Sequence, residues 1–242
     1  MGGPKRHRNG RGAAAGPSGT DSLARVEEEV VACRACPRLV AWREQVARDK
    51  RAAFRDQTYW GRPVPGFGDP DARLAVVGLA PAAHGGNRTG RVFTGDRSGD
   101  WVYRALWRAG FANQPTSEHA GDGLRLERAW VAAAVRCAPP ANRPTPAERD
   151  DCLPYLRREL TLLSEVTVIV VLGKFAHDAV CLLLGLRPRP RFSHLAEHRL
   201  PDGRTLLCSY HPSQQNTFTG KLTEAAFDAV FARARALVDD SG

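Results

Sequence analysis

Three groups of residues in this 242-residue chain carry types and spacings that suit chemistry. The first is the run GLAPAAHGGNRTGRVFTGD, residues 78–96. Its glycines leave backbone N–H groups unshielded, and Gly78, Leu79 and Ala80 sit where a strand opens into a loop. His84, Arg88, Arg91, Phe93 and Asp96 add donors, two cations, an aromatic face and one carboxylate. Asp96 also stands just before a helix, where aspartate is a favoured N-cap. The second group is HPSQQNTFTGK, residues 211–221. Pro212 fixes the backbone after His211, and Ser213, its polar neighbours and Lys221 suit contacts to phosphate. Lys221 is expected to begin a helix.

The third group is four of the six cysteines. Cys33 and Cys36 form a C-x2-C, Cys137 closes a strand, and Cys152 follows fifteen residues later on a helix. Disulfides do not suit a chain without a secretory signal. Four thiolates suit either zinc or an iron–sulfur cluster, and spacing alone does not separate the two. Cys181 and Cys208 lie in apolar runs and read as buried small hydrophobes.

These groups need elements to position them. Short β-branched runs predict buried strands at 73–79, 129–135, 166–172 and 205–209. Helical spacing, caps and breakers predict helices at 22–32, 37–54, 98–109, 145–163, 174–184 and 221–238. The clearest start is the capping box at Thr145 and Glu148 with Pro146 between them. Strands alternating with helices predict an α/β fold, three layers deep, with a mostly parallel central sheet. Residues 21–242 read as one domain. Residues 1–20 are rich in Gly, Ala, Pro and Arg without periodicity and read as a disordered basic tail.

Composition narrows the function classes. No apolar run approaches a membrane span, and the basic start lacks the apolar core of a signal peptide, so the expected compartment is the cytoplasm. The net charge is +9, of which the tail supplies +4 through Lys5, Arg6, Arg8 and Arg11. That excess suits a polyanionic partner.

Taken in order, GLAPAAHGGNRTGRVFTGDRSGD, RCAPPANRP and HPSQQNTFTG resemble the motifs of family 5, type B, uracil-DNA glycosylases, across residues 22–238. The resemblance implies the uracil-DNA glycosylase α/β/α fold and a [4Fe-4S] cluster on Cys33, Cys36, Cys137 and Cys152. It implies a monomer acting on double- and single-stranded DNA that contains deaminated bases. Family 4 enzymes carry an acid in the first motif and an asparagine on the strand before the third cysteine. Here Ala82 and Ala83, and Ala132 and Ala133, stand in those regions, so the base pocket is expected to be permissive.

Excising a base requires taking it out of the stack. Phe93 is the expected stacking face. His211 and the N–H groups near Gly78–Ala80 are the expected donors to the departing base. Asp96 is expected to stabilise the sugar cation and orient water, with Asn142 assisting. Arg88, Arg91, Ser213 and Lys221 are the expected DNA contacts. The competing reading is a cluster-bearing nucleic-acid-binding module without catalysis.

Overall fold

The structure is a computed structural model that describes residues 20–241. Apart from Thr20, the expected basic tail lies outside the described residues. Six strands form one sheet: β1 (Phe67–Gly68), β2 (Leu74–Gly78), β3 (Ala129–Ala133), β4 (Val168–Leu172), β5 (Glu197–Arg199) and β6 (Thr205–Ser209), in the order β1-β3-β2-β4-β6-β5. The four central strands are parallel, and the two short edge strands are antiparallel. Val76 sits level with Val131 on one side and Val170 on the other, and Val170 sits level with Leu207.

Eight helices accompany the sheet among the described residues: α1 (Leu23–Ala32), α2 (Pro37–Asp49), α3 (Gly86–Thr89), α4 (Arg97–Arg108), α5 (Pro146–Leu162), α6 (Lys174–Leu183), α7 (Gln214–Phe218) and α8 (Glu224–Asp240). Alternate strand residues feed two cores. Leu74, Val76, Val131, Val170 and Leu207 pack with α4 and α8, through Leu106, Phe227 and Phe231. Ala75, Val77, Ile169, Val171 and Leu206 pack with α5 and α6, through Leu156, Leu160 and Val180. Burial on both faces is why these strands read as continuous apolar runs rather than as alternating ones.

The capping box forms as expected. Glu148 N–H donates to Thr145 Oγ1 at 3.2 Å, and Thr145 N–H donates back to Glu148 Oε2 at 2.7 Å. Arg38 on α2 donates twice to the same carboxylate, Nε to Oε1 and Nη2 to Oε2, each at 2.7 Å. That pairing ties the segment carrying Cys36 to the helix carrying Cys152. At the other end of α5, Glu159 forms a fully buried ion pair with Arg136 at the end of the β3 segment.

One helix start differs from expectation. The last helix begins at Glu224, because Thr223 Oγ1 accepts from Ala226 N–H at 3.2 Å and makes the cap. Lys221 precedes it. The polar run 214–218 forms the separate one-turn helix α7, capped by Ser213.

All four parallel strands end on one edge of the sheet. The segments after β2, β4 and β6 therefore converge there, at the carboxyl ends where open α/β sheets hold ligands.

Candidate active site

His211 follows β6 with only Tyr210 between them. Its carbonyl accepts from Asn216 Nδ2 at 2.8 Å, and Ser98 Oγ donates to Pro212 O at 3.0 Å. These bonds fix the backbone on both sides of the ring. The imidazole nitrogens have no hydrogen-bond partner among the described residues. Burial drives the ring's pKa down from 6.5 to about 4, so it is neutral at physiological pH and has one N–H to donate. The ring lines a cavity of about 250 Å³ walled by Leu79, Phe175, Phe192 and Tyr210, with the exposed Lys174 and Lys221 beside it. Lys221 lies over the Tyr210 ring, 4.6 Å from its centre.

Phe93 faces His211 with ring centres 6.0 Å apart and a 37° tilt. Its position depends on two missing side chains. A Cβ on Gly78 would lie 2.5 Å from Phe93 Cζ, and one on Gly99 would lie 1.8 Å from Phe93 O. Phe93 itself takes φ 51°, in the left-handed region that a bulky residue avoids.

Asp96 caps α4: its Oδ1 accepts from Gly99 N–H at 3.0 Å. Its Oδ2 lies where a Cβ on Gly85 would be, only 2.0 Å away. Burial raises the Asp96 pKa, against the opposing pull of the Gly99 and Ser98 N–H groups. The carboxylate is thus a helix cap held with reduced hydration.

The four cysteines meet below this edge. Cys137 and Cys152 pack with Leu39 and Val135, and Cys36, Ala80 and Phe175 pack against them. None of the six cysteines is in a disulfide. Cys33 and Cys36 each lie within electrostatic reach of both Cys137 and Cys152. Burial pushes the Cys36 thiol up to about 12 and those of Cys137 and Cys152 up to about 11. The buried Arg43 donates to Cys137 Sγ at 2.9 Å and to Cys33 O at 3.1 Å. Among the described residues no three His, Cys, Asp or Glu side chains are placed to share a single ion. Four gathered thiols beside a buried guanidinium are residues that could hold a thiolate-ligated metal group.

The uracil DNA glycosylase superfamily model matches residues 65–235. A type-5 uracil-DNA glycosylase of Mycobacterium leprae is 55% identical over 222 residues, which covers 90% of this chain and 97% of that one. Its counterpart from Thermus thermophilus is 54% identical over 211 residues, covering 87% and 95%. One from Pyrobaculum aerophilum is 44% identical over 207 residues, covering 86% and 89%. The chain belongs to the type-5 uracil-DNA glycosylase family.

Within this family frame, the expected site residues separate. Leu79, His211 and Lys221 line the cavity, Phe93 faces His211, and Ala80 joins the pocket edge to the cysteines. Ser213 is a helix cap. Arg91 is not a surface contact: it is 4% exposed and ion-paired to Asp122 at 2.6 Å. Arg88 is largely engaged inside the protein. It donates to His84 O at 2.8 Å, Gln57 Oε1 at 2.6 Å and Gly95 O at 2.9 Å, and it stacks 4.0 Å from the centre of Phe54. Asn142 is exposed on a turn with φ 55° and does not line the cavity, which is the turn-forming behaviour open to asparagine. Ala132 is buried under α5 and α6, facing the core rather than the pocket.

Sequence reasoning missed the aromatic wall of Phe175, Phe192 and Tyr210. It also missed Phe218, which is 65% exposed at the end of α7 with Arg97 stacked 4.4 Å from its ring centre. A phenylalanine inside the polar run QQNTFTG is the one signal that pointed to it.

Proposed function

We propose that this chain excises uracil and other deaminated bases from DNA by hydrolysing the N-glycosidic bond, leaving an abasic site. The observation that supports this best is His211: a half-buried, neutral imidazole with no partner among the described residues, facing Phe93 at the edge of an aromatic-walled cavity. The flipped base stacks on Phe93. His211 donates its one N–H to a base oxygen as negative charge develops there, an interaction that strengthens toward the transition state. Asp96 stands on the sugar side, stabilises the cation and orients water. Apart from His211, Asn216, the Tyr210 hydroxyl and the two lysines, the cavity wall is apolar, so it holds few groups that a wrong base would leave unpaired. Such a pocket discriminates weakly between similar bases.

DNA is taken in both double- and single-stranded form. Phe218, exposed and stacked by Arg97, meets the duplex beside the pocket, where an exposed ring can fill the gap left by a flipped nucleotide. The chain acts as a monomer in the cytoplasm. Six cysteines with no disulfide among them suit that reducing compartment.

Cys33, Cys36, Cys137 and Cys152 hold a [4Fe-4S] cluster that ties α2 and α5 to the sheet. Arg43 offsets part of the negative charge of its thiolates. The cluster is structural, since base excision transfers no electron. Purified protein should be brown, with iron and sulfide near four each per chain, as that cluster type requires. A colourless protein with one zinc would overturn the assignment.

A single-turnover assay on an oligonucleotide with one uracil tests the activity. Strand cleavage only after alkali is expected. An intact strand after alkali, with a retained gel shift, would instead establish a binding module.

A further inference from the structure

We infer that the buried pair Arg91–Asp122, with Thr94 and Ser117, is a positioning device that holds Phe93 in the conformation in which it meets the base. The inference rests on the reading of Phe93 as the stacking face. Six non-glycine residues have φ in the left-handed region among the described residues, and Phe93 is the buried one of these six. Such a conformation persists only where its surroundings over-determine it.

The surroundings here are unusually complete. On the N-terminal side, Val92 O accepts from Tyr103 Oη at 2.8 Å and from Thr94 Oγ1 at 3.2 Å. On the C-terminal side, Gly95 N–H donates to Ser117 O at 3.0 Å. Thr94 Oγ1 lies 2.7 Å from Ser117 Oγ and accepts from Arg91 Nε at 3.0 Å. Arg91 Nη2 reaches Ser117 Oγ at 2.7 Å and Asp122 Oδ2 at 2.6 Å. Asp122 in turn organises its own loop, accepting from Glu118 N–H at 2.7 Å and Leu124 N–H at 3.1 Å. The loop 113–124 has no regular strand or helix among its residues, yet its polar groups converge on the segment around Phe93.

Burying an ion pair is a poor way to gain stability: apolar residues of similar volume often serve as well or better. What a fixed network of directional bonds does supply is one backbone geometry. None of its members lines the cavity, and its bonds to Val92, Thr94 and Gly95 bracket Phe93, which is the route by which it acts on the reaction; Asp96, one residue past Gly95, is the alternative route that the double-mutant cycle separates.

A double-mutant cycle tests this on the full chain. The variants are Arg91→Met/Asp122→Leu, Phe93→Ala, and all three substitutions together. Each is measured for melting temperature, affinity for the uracil oligonucleotide and single-turnover rate. The apolar pair should keep the melting temperature and affinity while slowing the rate by up to about 10²-fold, as misplacement of a reacting group does. In the Phe93→Ala background the apolar pair should have no further effect. An equal slowing in both backgrounds, or an unchanged rate in the wild-type background, would overturn the inference. If Phe93→Ala alone leaves the rate unchanged, the stacking role itself falls, and the positioning role with it. Should the apolar pair fail to fold, Thr94→Val replaces it in the same cycle. Thr94→Val should slow the reaction and Thr94→Ser should restore it, whereas a merely structural threonine would show equal rates in both.

Discussion

The loops after β2 and β6 leave the same edge of the sheet and use their polar groups in opposite ways. Residues 78–96 turn theirs inward: Arg88 braces three groups of the protein, Arg91 is buried, Asp96 caps a helix and Asn87 donates to Arg43 O at 3.1 Å. Residues 210–221 brace only their own turn, through Ser213 and Asn216, and leave their functional groups outward or unpartnered: the His211 ring has no partner among the described residues, Lys221 is exposed and Phe218 is the most exposed large apolar side chain described. The first loop is a rigid frame that fixes the positions of an aromatic face and a carboxylate. The second supplies the groups that meet the substrate. Division of labour of this kind follows from physical limits, since a donor that already has an internal partner has little left to offer a transition state.

The largest expected effect is at the unpartnered ring. His211→Ala should lower the single-turnover rate by about 10²–10³-fold with little change in DNA affinity. A loss of affinity that accounts for the whole effect would place His211 among the binding groups instead.

Asp96 comes next, because it serves both the frame and the chemistry. Asp96→Ala should slow the reaction and also destabilise the fold by about 1 kcal/mol through the lost cap. Asp96→Asn keeps the cap and should recover stability fully but rate only in part. A lowered melting temperature with an unchanged rate would leave Asp96 a cap alone.

The pH profile separates the two groups further. An ordinary histidine would produce a limb in the rate near 6.5, whereas His211 titrates near 4 in the folded protein, so no limb should appear near 6.5. The acid limb should instead follow Asp96, above the ordinary aspartate value of 3.8, because burial raises that group. The unfolded chain takes up the His211 proton near 6.5 and the folded chain only near 4. Unfolded chains therefore bind more protons in that window, and stability should fall as pH drops through it. His211→Gln should flatten that part of the stability curve.

The smallest effect concerns salt. Lys221→Ala should reduce the salt slope of DNA binding by about one unit, while Arg91→Ala should leave it unchanged. A slope that drops for Arg91 would mean that its loop opens to reach phosphate.

Much of the frame was legible in the sequence, because the four central strands are continuous β-branched or small apolar runs that nothing but a doubly covered sheet explains. The edge strands β1 and β5 escaped. They are two and three residues long, half-exposed, and carry no period that a short window can show. The one-turn helices α3 and α7 escaped for the same reason. That His211 and Phe93 come face to face was legible because position after a strand and side-chain type are both local facts. Arg91 was misread because its role depends on Asp122, which is 31 positions away along the chain. Sequence shows a charge but not the partner that neutralises it. Lys221 was read as a helix start because Thr223, two residues on, is an equally good beginning and only the folded backbone chooses between them.

The close packing of Gly85 against Asp96 and Gly99 against Phe93 has a genetic consequence. Every glycine codon begins with two guanines, so each of these positions is written with two G·C pairs, and cytosine deamination turns such pairs into A·T. Copying one of those lesions gives serine or arginine from the first position, and aspartate or glutamate from the second. All four replacements add a Cβ where 2.0 Å separates it from Asp96 Oδ2 or 1.8 Å from Phe93 O. The damage this chain is proposed to remove therefore writes, at these two codons, side chains for which the packing leaves no room, so a lesion left unrepaired there strikes the protein that would remove the next one.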